Sequence, residues 1–354
     1  EPVSWAATAR VLRDGRTALA TVGLTALDAV ITRFAKADRE PRVCTFFAKY
    51  SNGDAGGNFD FDRFLRVGAP LLLQIALDMP ALFVDTPAVP MFRMRSACGP
   101  AEEKEGCSSP RLRKHCVALT RRQCACLLAH SFLGSLKRPD GVQPNDWRFT
   151  VVDLFLGTAV SPNSATTFLN YFNSLGEAPP NDDDDDDDDD VITIERLGFD
   201  KGRPPWDWEA STKPLCKATV LDGAIEDSVA DTHADFANAF VGGGCMTGDA
   251  AQEEMLFLVK PELMLAMATQ QRMVDEEAIR ISGARQYAIT SGFGQDFEFH
   301  GDYDGRRSTT GEAVPPTVCA IDAVRGGGPA MTSRAMLRDM NKARLGFEGA
   351  AHIA

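Results

Sequence analysis

Apolar and polar positions in the first half of the chain follow a mainly helical pattern. Residues 63–79 form an apolar-rich stretch that predicts a helix. A second helix is predicted from Thr120, because Thr120 followed by Gln123 has the spacing of a capping box before the apolar run 124–133. A third helix is predicted over 164–173, where four apolar residues share one face.

After residue 190 the pattern changes to short apolar runs separated by helical ones. Runs typical of strands lie at 191–194, 217–220, 234–238, 278–281 and 317–323. Helical patterns lie between them at 252–271 and 331–344. Strands that alternate with helices favour an α/β layer architecture.

A run of nine aspartates at 182–190 marks the clearest boundary in the chain. Adjacent like charges repel and stay solvated, so the run is typical of a disordered linker or insertion. Cation binding fits less well, because consecutive carboxylates lack the spaced geometry of a calcium loop. We therefore divide the chain into a helical region at 1–180, a linker at 181–190 and an α/β region at 191–354. A further segment at 98–116, rich in Gly, Pro, Ser and charge, is expected to be a mobile loop.

Net charge limits how this protein can recognise a polyanion. The formal charge is −13, and −4 remains when the nine aspartates are left out. A protein that holds polyanions through its overall charge is basic, so any phosphate site here must be local, built from backbone amides and a few side chains. We expect no direct DNA binding. No apolar run reaches the roughly 20 residues of a membrane-spanning helix, so we expect no membrane partner either.

The cysteines favour a reducing compartment. There are nine of them, an odd number, and no pair has CxxC spacing. Reduced thiols in the nucleus or the cytoplasm fit this usage best, and disulfides or a structural zinc at Cys124 and Cys126 fit it less well. The chain begins with Glu1 and Pro2, without an initiator methionine or a secretory leader, which is typical of a fragment or a processed form.

Three glycines and two glutamates form the candidate chemical site. Gly242, Gly243 and Gly244 follow the predicted strand at 234–238, and Glu253 and Glu254 open the next helical run. Adjacent glycines let backbone N–H groups approach a ligand closely, and with a helix N-terminus they favour an anion. Two carboxylates at the same place suit a reaction that protonates a leaving oxygen and supports a cationic sugar. Taken alone, the pattern also fits a flexible turn followed by a helix whose dipole favours acidic residues.

The complete string decides between these interpretations. Residues 242–254, GGGCMTGDAAQEE, resemble the signature of poly(ADP-ribose) glycohydrolases, in which GGG is followed by QEE after a short loop. The flanking segments agree with this family as well: DFAN at 235–238, PEL at 261–263, GxxQY at 283–287, AIDA at 320–323 and NKA at 341–343. The helical stretch at 123–132 resembles the family's accessory region. The resemblance covers the chain from about residue 60 onwards, with the aspartate run as an insertion.

The resemblance implies a macrodomain-like three-layer α/β/α catalytic unit behind a helical accessory domain. It implies hydrolysis of the ribose–ribose O-glycosidic bonds of poly(ADP-ribose) attached to modified proteins, with release of ADP-ribose and without a metal or cofactor. Glu254 would be the catalytic acid/base, with a pKa raised by burial beside Glu253. Glu253 would hold a ribose hydroxyl.

The remaining site residues implied by the resemblance are substrate-binding. Asp235 and Asn238 would position the glutamates and the distal ribose, although both also fit turn formers. Gly243 and Gly244 would let the loop pass close to the substrate. Gln252 would line the pocket, and Tyr287 would contribute to the adenosine side, although Tyr287 also fits a core residue.

Two departures from the family pattern bear on function. The family's second aromatic, three residues after Tyr287, is Thr290 here, and Phe293 is the nearest aromatic beyond it. The family also continues past the equivalent of Ala354 with a glycine-rich diphosphate-binding loop, so we expect a unit truncated at its C-terminus. This leaves an alternative function, a catalytically impaired ADP-ribose-binding module. A glycosidase of another polymer fits less well, because such enzymes usually carry their two carboxylates on separate elements.

Overall fold

The fold is described by a computed structural model of the 354-residue chain. The described residues are 4–36, 42–51, 57–84, 112–157, 161–177, 191–201, 204, 206–212, 214, 217–220, 222–223, 225, 228, 230–303, 315–324, 326 and 328–348. The aspartate run and most of the segment 98–116 lie outside them.

Helices dominate the first region. They are α1 (Trp5–Val22), α2 (Thr25–Ala35), α3 (Phe46–Tyr50), α4 (Phe61–Arg63), α5 (Ala69–Leu77), α6 (Met79–Leu82), α7 (Arg121–Phe132), α8 (Asp153–Leu156) and α9 (Pro162–Gly176). A π-helical turn at Phe64–Gly68 joins α4 to α5, so the helix predicted at 63–79 is confirmed in three pieces. The predicted capping box is confirmed at α7, where the hydroxyl of Thr120 accepts from the Gln123 amide and the Gln123 side chain accepts from the Thr120 amide.

One strand lies inside this mainly helical region. It is β1 (Leu112–Thr120), which directly precedes α7. The last residues of the predicted loop 98–116 therefore belong to a strand, and that part of the prediction is wrong. Side-chain exposure alternates at the end of β1, with Val117 and Leu119 buried, and this period of two favours a strand packed on one face.

The second region supplies the remaining strands and three helices. The strands are β2 (Val191–Phe199), β3 (Thr232–Ala237), β4 (Glu277–Ser282), β5 (Ala288–Ser291), β6 (Glu298–Asp302) and β7 (Thr317–Asp322). The helices are α10 (Gln252–Val259), α11 (Leu265–Thr269) and α12 (Ser333–Glu348). Five strands form one sheet in the order β1-β2-β4-β7-β3, in which β3 and β7 are parallel and the other neighbours antiparallel. Strands β5 and β6 form a separate hairpin.

Helices cover both faces of the five-stranded sheet. Ile279 and Ile281 of β4 point into the large core shared with α7, α9 and α10, whereas Ala278, which precedes Ile279 and faces the other side of the sheet, packs with Leu345 of α12. The neighbouring strands β4 and β7 inside the sheet are accordingly buried along most of their length. The predicted α/β/α layers are confirmed.

Two predicted elements differ in the structure. Residues 217–220 form no strand and all four are exposed, so the packing that stabilises the β-branched side chains of Thr219 and Val220 in a strand is missing here. The helix predicted at 252–271 is broken by Pro261, which cannot donate to an earlier turn. It becomes α10, a 3₁₀ turn at Pro261–Met264 and α11.

A buried ion pair joins the helical region to the segment after α10. The Arg121 guanidinium, at the start of α7, contacts the Glu262 carboxylate and donates to the Gly283 carbonyl at 3.1 Å. The Tyr287 hydroxyl donates to Glu262 at 2.6 Å, and the Arg285 amide donates to its other oxygen at 2.9 Å. Glu262 is completely buried, so each of these donors compensates a carboxylate that has left water.

Removing one partner of this pair leaves a buried charge uncompensated. We expect Arg121→Met to lower the free energy of unfolding by about 3–5 kcal/mol. The exposed pair of Arg42 and Asp153 provides the control, since Arg42→Met should cost about 1 kcal/mol or less. Urea unfolding of both variants measures the difference, and equal losses would contradict a structural role for the buried pair.

Candidate active site

The glycine turn follows the carboxyl end of β3. Residues 241–248 form consecutive turns, and three backbone amides in them donate to carbonyls three residues earlier. Gly242 and Gly243 have φ angles of +89° and +50°, in the left-handed region that glycine adopts without strain. The chain thereby folds back on itself directly in front of the N-terminus of α10.

Glu253 holds the start of this turn from the first turn of α10. One of its carboxyl oxygens accepts from the Asn238 amide at 2.8 Å and the other from the Gly242 amide at 2.6 Å. Both donors are backbone groups on the far side of the loop. The carboxyl group therefore fixes the path of the chain between the end of β3 and the first glycine of the turn.

Glu254 holds the end of the turn in the same way. Its carboxyl group accepts from the Gly244 amide at 2.9 Å and from the Ala251 amide at 3.1 Å. The second bond satisfies an amide at the helix N-terminus that has no intrahelical partner. The carboxyl group predicted to be catalytic therefore lies directly against the triple glycine.

Close approach explains why position 243 is a glycine. A Cβ on Gly243 would collide with the Glu254 carboxylate and would lie 2.6 Å from Oε2 of Glu253. Gly244 is equally constrained, because its Cβ would collide with the Asp249 carboxylate. Both predicted glycines are thus required by the acidic groups around them.

Asp235 is the third carboxyl group at this place. It is completely buried on β3, and neither of its oxygens has a hydrogen-bond partner among the described residues. Burial, followed by the charges of Glu253 and Glu254, raises the pKa of Asp235 well above its ordinary value. The Asp235 carboxyl group therefore holds a proton more tightly than an ordinary aspartate does.

Burial also raises the pKa of Glu253, to about 8. The two backbone N–H groups and the guanidinium of Arg148 oppose this shift, and the neighbouring Glu254 charge adds to it. The pair of Asp235 and Glu253 therefore binds protons at a pH where ordinary carboxyl groups are ionised.

Asn238 and Gln252 both bind backbone next to the glutamates. The Asn238 side chain accepts from the Phe240 amide at 3.0 Å, which is an Asx turn. The Gln252 side chain accepts from the Phe236 amide at 2.9 Å and donates to the Ala234 carbonyl at 3.1 Å. Its amide thus takes the place of a peptide group of a neighbouring strand along the sheet edge formed by β3.

Tyr287 lies elsewhere, in the core. Its side chain is 1% exposed, its ring packs edge-on against Tyr171, and its hydroxyl binds Glu262. It presents almost no surface to a ligand in this arrangement. The structure therefore favours the core interpretation and does not bring Tyr287 together with the glycine turn and the glutamates.

Arg148 is a site residue that sequence reasoning missed. It comes from the helical region, its guanidinium lies 4.4 Å from the centre of the Phe240 ring, and it reaches the Gly243 carbonyl at 3.5 Å. Nothing in the local sequence PNDWRFT distinguishes this arginine from a surface residue. Only the tertiary packing brings position 148 to the glycine turn.

An open cavity of about 790 Å³ adjoins the turn. Its walls include Asn238 and Phe240, the end of β7 and the first two turns of α12. Among the described residues, no group of three or more His, Cys, Asp or Glu side chains is arranged to hold a metal ion. In the same part of the chain, none of the helices combines the length and apolarity needed to cross a bilayer.

Two family profiles match the chain in succession. The first, described as "Poly (ADP-ribose) glycohydrolase (PARG), helical domain", matches residues 60–196. The second, described as "Poly (ADP-ribose) glycohydrolase (PARG), Macro domain fold", matches residues 205–353.

Several curated proteins are similar to the chain. It is 35% identical over 144 residues to "Probable poly(ADP-ribose) glycohydrolase 2" of Arabidopsis thaliana. The matched segment covers 40% of this chain and 28% of that protein. It is 36% identical over 146 residues to "Poly(ADP-ribose) glycohydrolase 1" of the same plant, over 40% of this chain and 26% of the relative. It is 27% identical over 242 residues to "Poly(ADP-ribose) glycohydrolase 2" of Caenorhabditis elegans, over 64% and 46% of the two chains. The matches thus span between about a quarter and about a half of these relatives' own lengths.

A methyl group at position 243 tests the geometry of the turn. We expect Gly243→Ala to displace both glutamates and to abolish ligand binding at the turn, measured by calorimetry with ADP-ribose. Gly141→Ala is the matched control, because Gly141 also has a positive φ, +82°, but its Cβ would meet nothing within 4 Å. Retained binding in Gly243→Ala would contradict the tight contact between the turn and the glutamates.

The raised pKa of Glu253 predicts a pH-dependent stability. The folded protein holds this proton more tightly than the unfolded chain, so the contribution is fully present below about pH 4.5 and is lost as the pH rises towards about 8. At about 1.4 kcal/mol per pKa unit, we expect a loss of a few kcal/mol across this range.

Urea unfolding at several pH values of wild type and Glu253→Gln isolates this effect. The difference between the two proteins cancels the opposite contribution of buried His130, whose pKa is lowered to about 4. The exposed Glu298→Gln should leave the pH profile of wild type unchanged. Parallel profiles for wild type and Glu253→Gln would show that the pKa of Glu253 is the same in the folded and the unfolded protein, and would contradict the raised value.

Proposed function

Since the chain belongs to the poly(ADP-ribose) glycohydrolase family, with its helical domain and its macrodomain fold, we propose that it hydrolyses the ribose–ribose O-glycosidic bonds of poly(ADP-ribose) and releases ADP-ribose. The polymer on modified proteins is the proposed substrate, and the nucleus or the cytoplasm is the proposed compartment. The relatives are named for this activity.

The position of Glu254 is the observation that carries the proposal. Its carboxyl group lies against the backbone of the triple glycine and is held by two amides, so its orientation is fixed before a ligand arrives. It is 8% exposed, compared with 4% for Glu253 and none for Asp235. Of the residues Asp235, Glu253 and Glu254, Glu254 is thus the most exposed.

Glu254 acts as acid and then as base in the proposed reaction. Its protonated carboxyl donates a proton to the oxygen that leaves with the shortened polymer, while the bond from that oxygen to the anomeric carbon breaks and its electron pair stays on the oxygen. The sugar becomes oxocarbenium-like. A water molecule then attacks the anomeric carbon and gives a proton to the Glu254 carboxylate, which restores the starting acid.

The other residues are proposed to position the substrate and to adjust the charge of the site. Glu253 is proposed to accept from a ribose hydroxyl, and its two amide contacts keep it at the turn. Asn238 is proposed to border the distal ribose, and the protonated Asp235 to limit the negative charge beneath the glutamates. Gly243 and Gly244 allow the sugar–phosphate chain to lie within contact distance of these carboxyl groups.

Removing the acid tests the assignment. We expect Glu254→Gln to lower kcat for ADP-ribose release from the polymer by about 10²–10⁴-fold, because an amide cannot donate and recover a proton. Polymer binding should persist, because the amide has the shape of the carboxyl group and its oxygen still accepts from one of the two backbone amides. The measurement is the rate of ADP-ribose release together with calorimetry on the polymer.

The exposed Glu298→Gln is the control and should retain wild-type rates. Full activity in Glu254→Gln would refute the role of Glu254. Binding of ADP-ribose by wild type without any turnover would instead support the alternative, an ADP-ribose-binding module without catalytic function.

A further inference from the structure

The cavity beside the glycine turn has a charge opposite to that of the whole chain. Its charged lining residues are four arginines and two aspartates: Arg148, Arg272, Arg334, Arg338, Asp275 and Asp322. The chain as a whole carries a formal charge of −13. Four arginine side chains in one cavity of an acidic protein are therefore a local feature that the overall charge does not explain.

Arg338 is neutralised within the fold. Its guanidinium donates to Asp275 at 2.8 Å, to the Asp322 carboxylate at 2.6 Å and to Asp339 at 2.7 Å. The two aspartates of the cavity are thus both paired with this one arginine. The remaining cations of the wall are left without a carboxylate of their own in the lining.

Arg272 and Arg334 are available to a ligand. Both are exposed, and neither guanidinium forms a hydrogen bond or an ion pair with another described residue. Arg148, between the cavity and the turn, lies on the Phe240 ring, reaches the Gly243 carbonyl and acts through its charge on the Glu253 carboxyl group. Guanidinium groups present several N–H donors in a plane and match phosphate oxygens in pairs.

The loop that carries Arg272 is held rigidly. The buried Arg196 guanidinium donates to the Gln271 carbonyl at 2.7 Å and to the Arg272 carbonyl at 2.9 Å. The buried Lys342 donates to the Val274 carbonyl at 2.7 Å, and the Met273 amide donates to the Ala239 carbonyl at 2.7 Å. The backbone at position 272 is therefore fixed relative to the segment that precedes the glycine turn. This side of the cavity is thus preorganised for a ligand.

We propose that this cavity binds a phosphate group of poly(ADP-ribose) that belongs to the unit adjoining the one being released, with Arg272 and Arg334 as its donors and Arg148 next to the turn. The proposal rests on the proposed function, since it assumes that a polymer lies across the turn. Asn238 and Phe240 border both the cavity and the turn, so a chain that leaves the turn on this side enters the cavity. Every unit of this polymer carries a pyrophosphate, which supplies the required anion.

A double variant measures the contribution of the two exposed arginines. We expect Arg272→Gln with Arg334→Gln to raise KM for the polymer about tenfold, while kcat falls less than about threefold, because the charges contact the polymer away from the reacting bond. The dependence of log(kcat/KM) on log salt should become shallower by about 1.4, as expected when about two phosphate contacts are lost at roughly 0.7 per contact on a single strand. Inhibition by free ADP-ribose should stay as in wild type.

A charge-matched control uses Arg13→Gln with Arg33→Gln, two exposed arginines on α1 and α2. This variant should keep the KM and the salt dependence of wild type. If it reproduced the effects of the cavity variant, a general loss of positive charge would explain them and the cavity site would be overturned. Weaker inhibition by ADP-ribose in the cavity variant would overturn the assignment to the adjoining unit.

Failure of this proposal can be distinguished from failure of the proposed function. Polymer binding, measured by calorimetry at several salt concentrations, is compared in the Glu254→Gln protein with and without the two arginine substitutions. Unchanged binding and unchanged salt dependence would overturn the cavity site while leaving catalysis at Glu254 intact. A weaker, less salt-dependent interaction would support the cavity site even if wild type released no ADP-ribose.

Discussion

The carboxyl groups of Glu253 and Glu254, buried against backbone amides of the glycine turn, are the interaction on which the rest of the site depends. Each carboxyl group accepts two amide hydrogen bonds, and together they fix the loop between β3 and α10. The same contacts leave no room for a side chain at position 243. Acidic groups and loop shape are therefore one unit, since neither can be maintained without the other.

This arrangement conflicts with the ordinary preference of carboxyl groups for water. Three of them, including Asp235, share a poorly solvated place, and burial raises the pKa of Asp235 and of Glu253. Bound protons relieve the repulsion that three charges would cause. A site assembled in this way holds protons at a pH where ordinary carboxyl groups are ionised.

The sequence allowed the glycine turn, the glutamates and most of the strands of the α/β region to be predicted, because each depends on local chemistry. Glycine conformations, helix-start acids and β-branched runs are visible within a few residues of the chain. Three features were not predictable in this way. The strand β1 depends on pairing with β2 beyond the aspartate run, Tyr287 is buried because Glu262 and Arg121 lie around it, and Arg148 reaches the turn only through the packing of the helical region. Each of these is decided by contacts between residues far apart in sequence.

Strand β1 comes from the helical region but belongs to the sheet of the α/β region, and this has a consequence for how the protein can be divided. Every residue of β2 from Val191 to Phe199 pairs with a residue of β1, and the two strands flank the aspartate run on either side. A cut in that run would separate two pieces with complementary, uncovered hydrogen-bonding edges, and the second piece would also lose Arg148 from its turn. Such pieces are suited to fragment complementation, in which each tends to self-associate alone and the intact sheet re-forms when they are mixed.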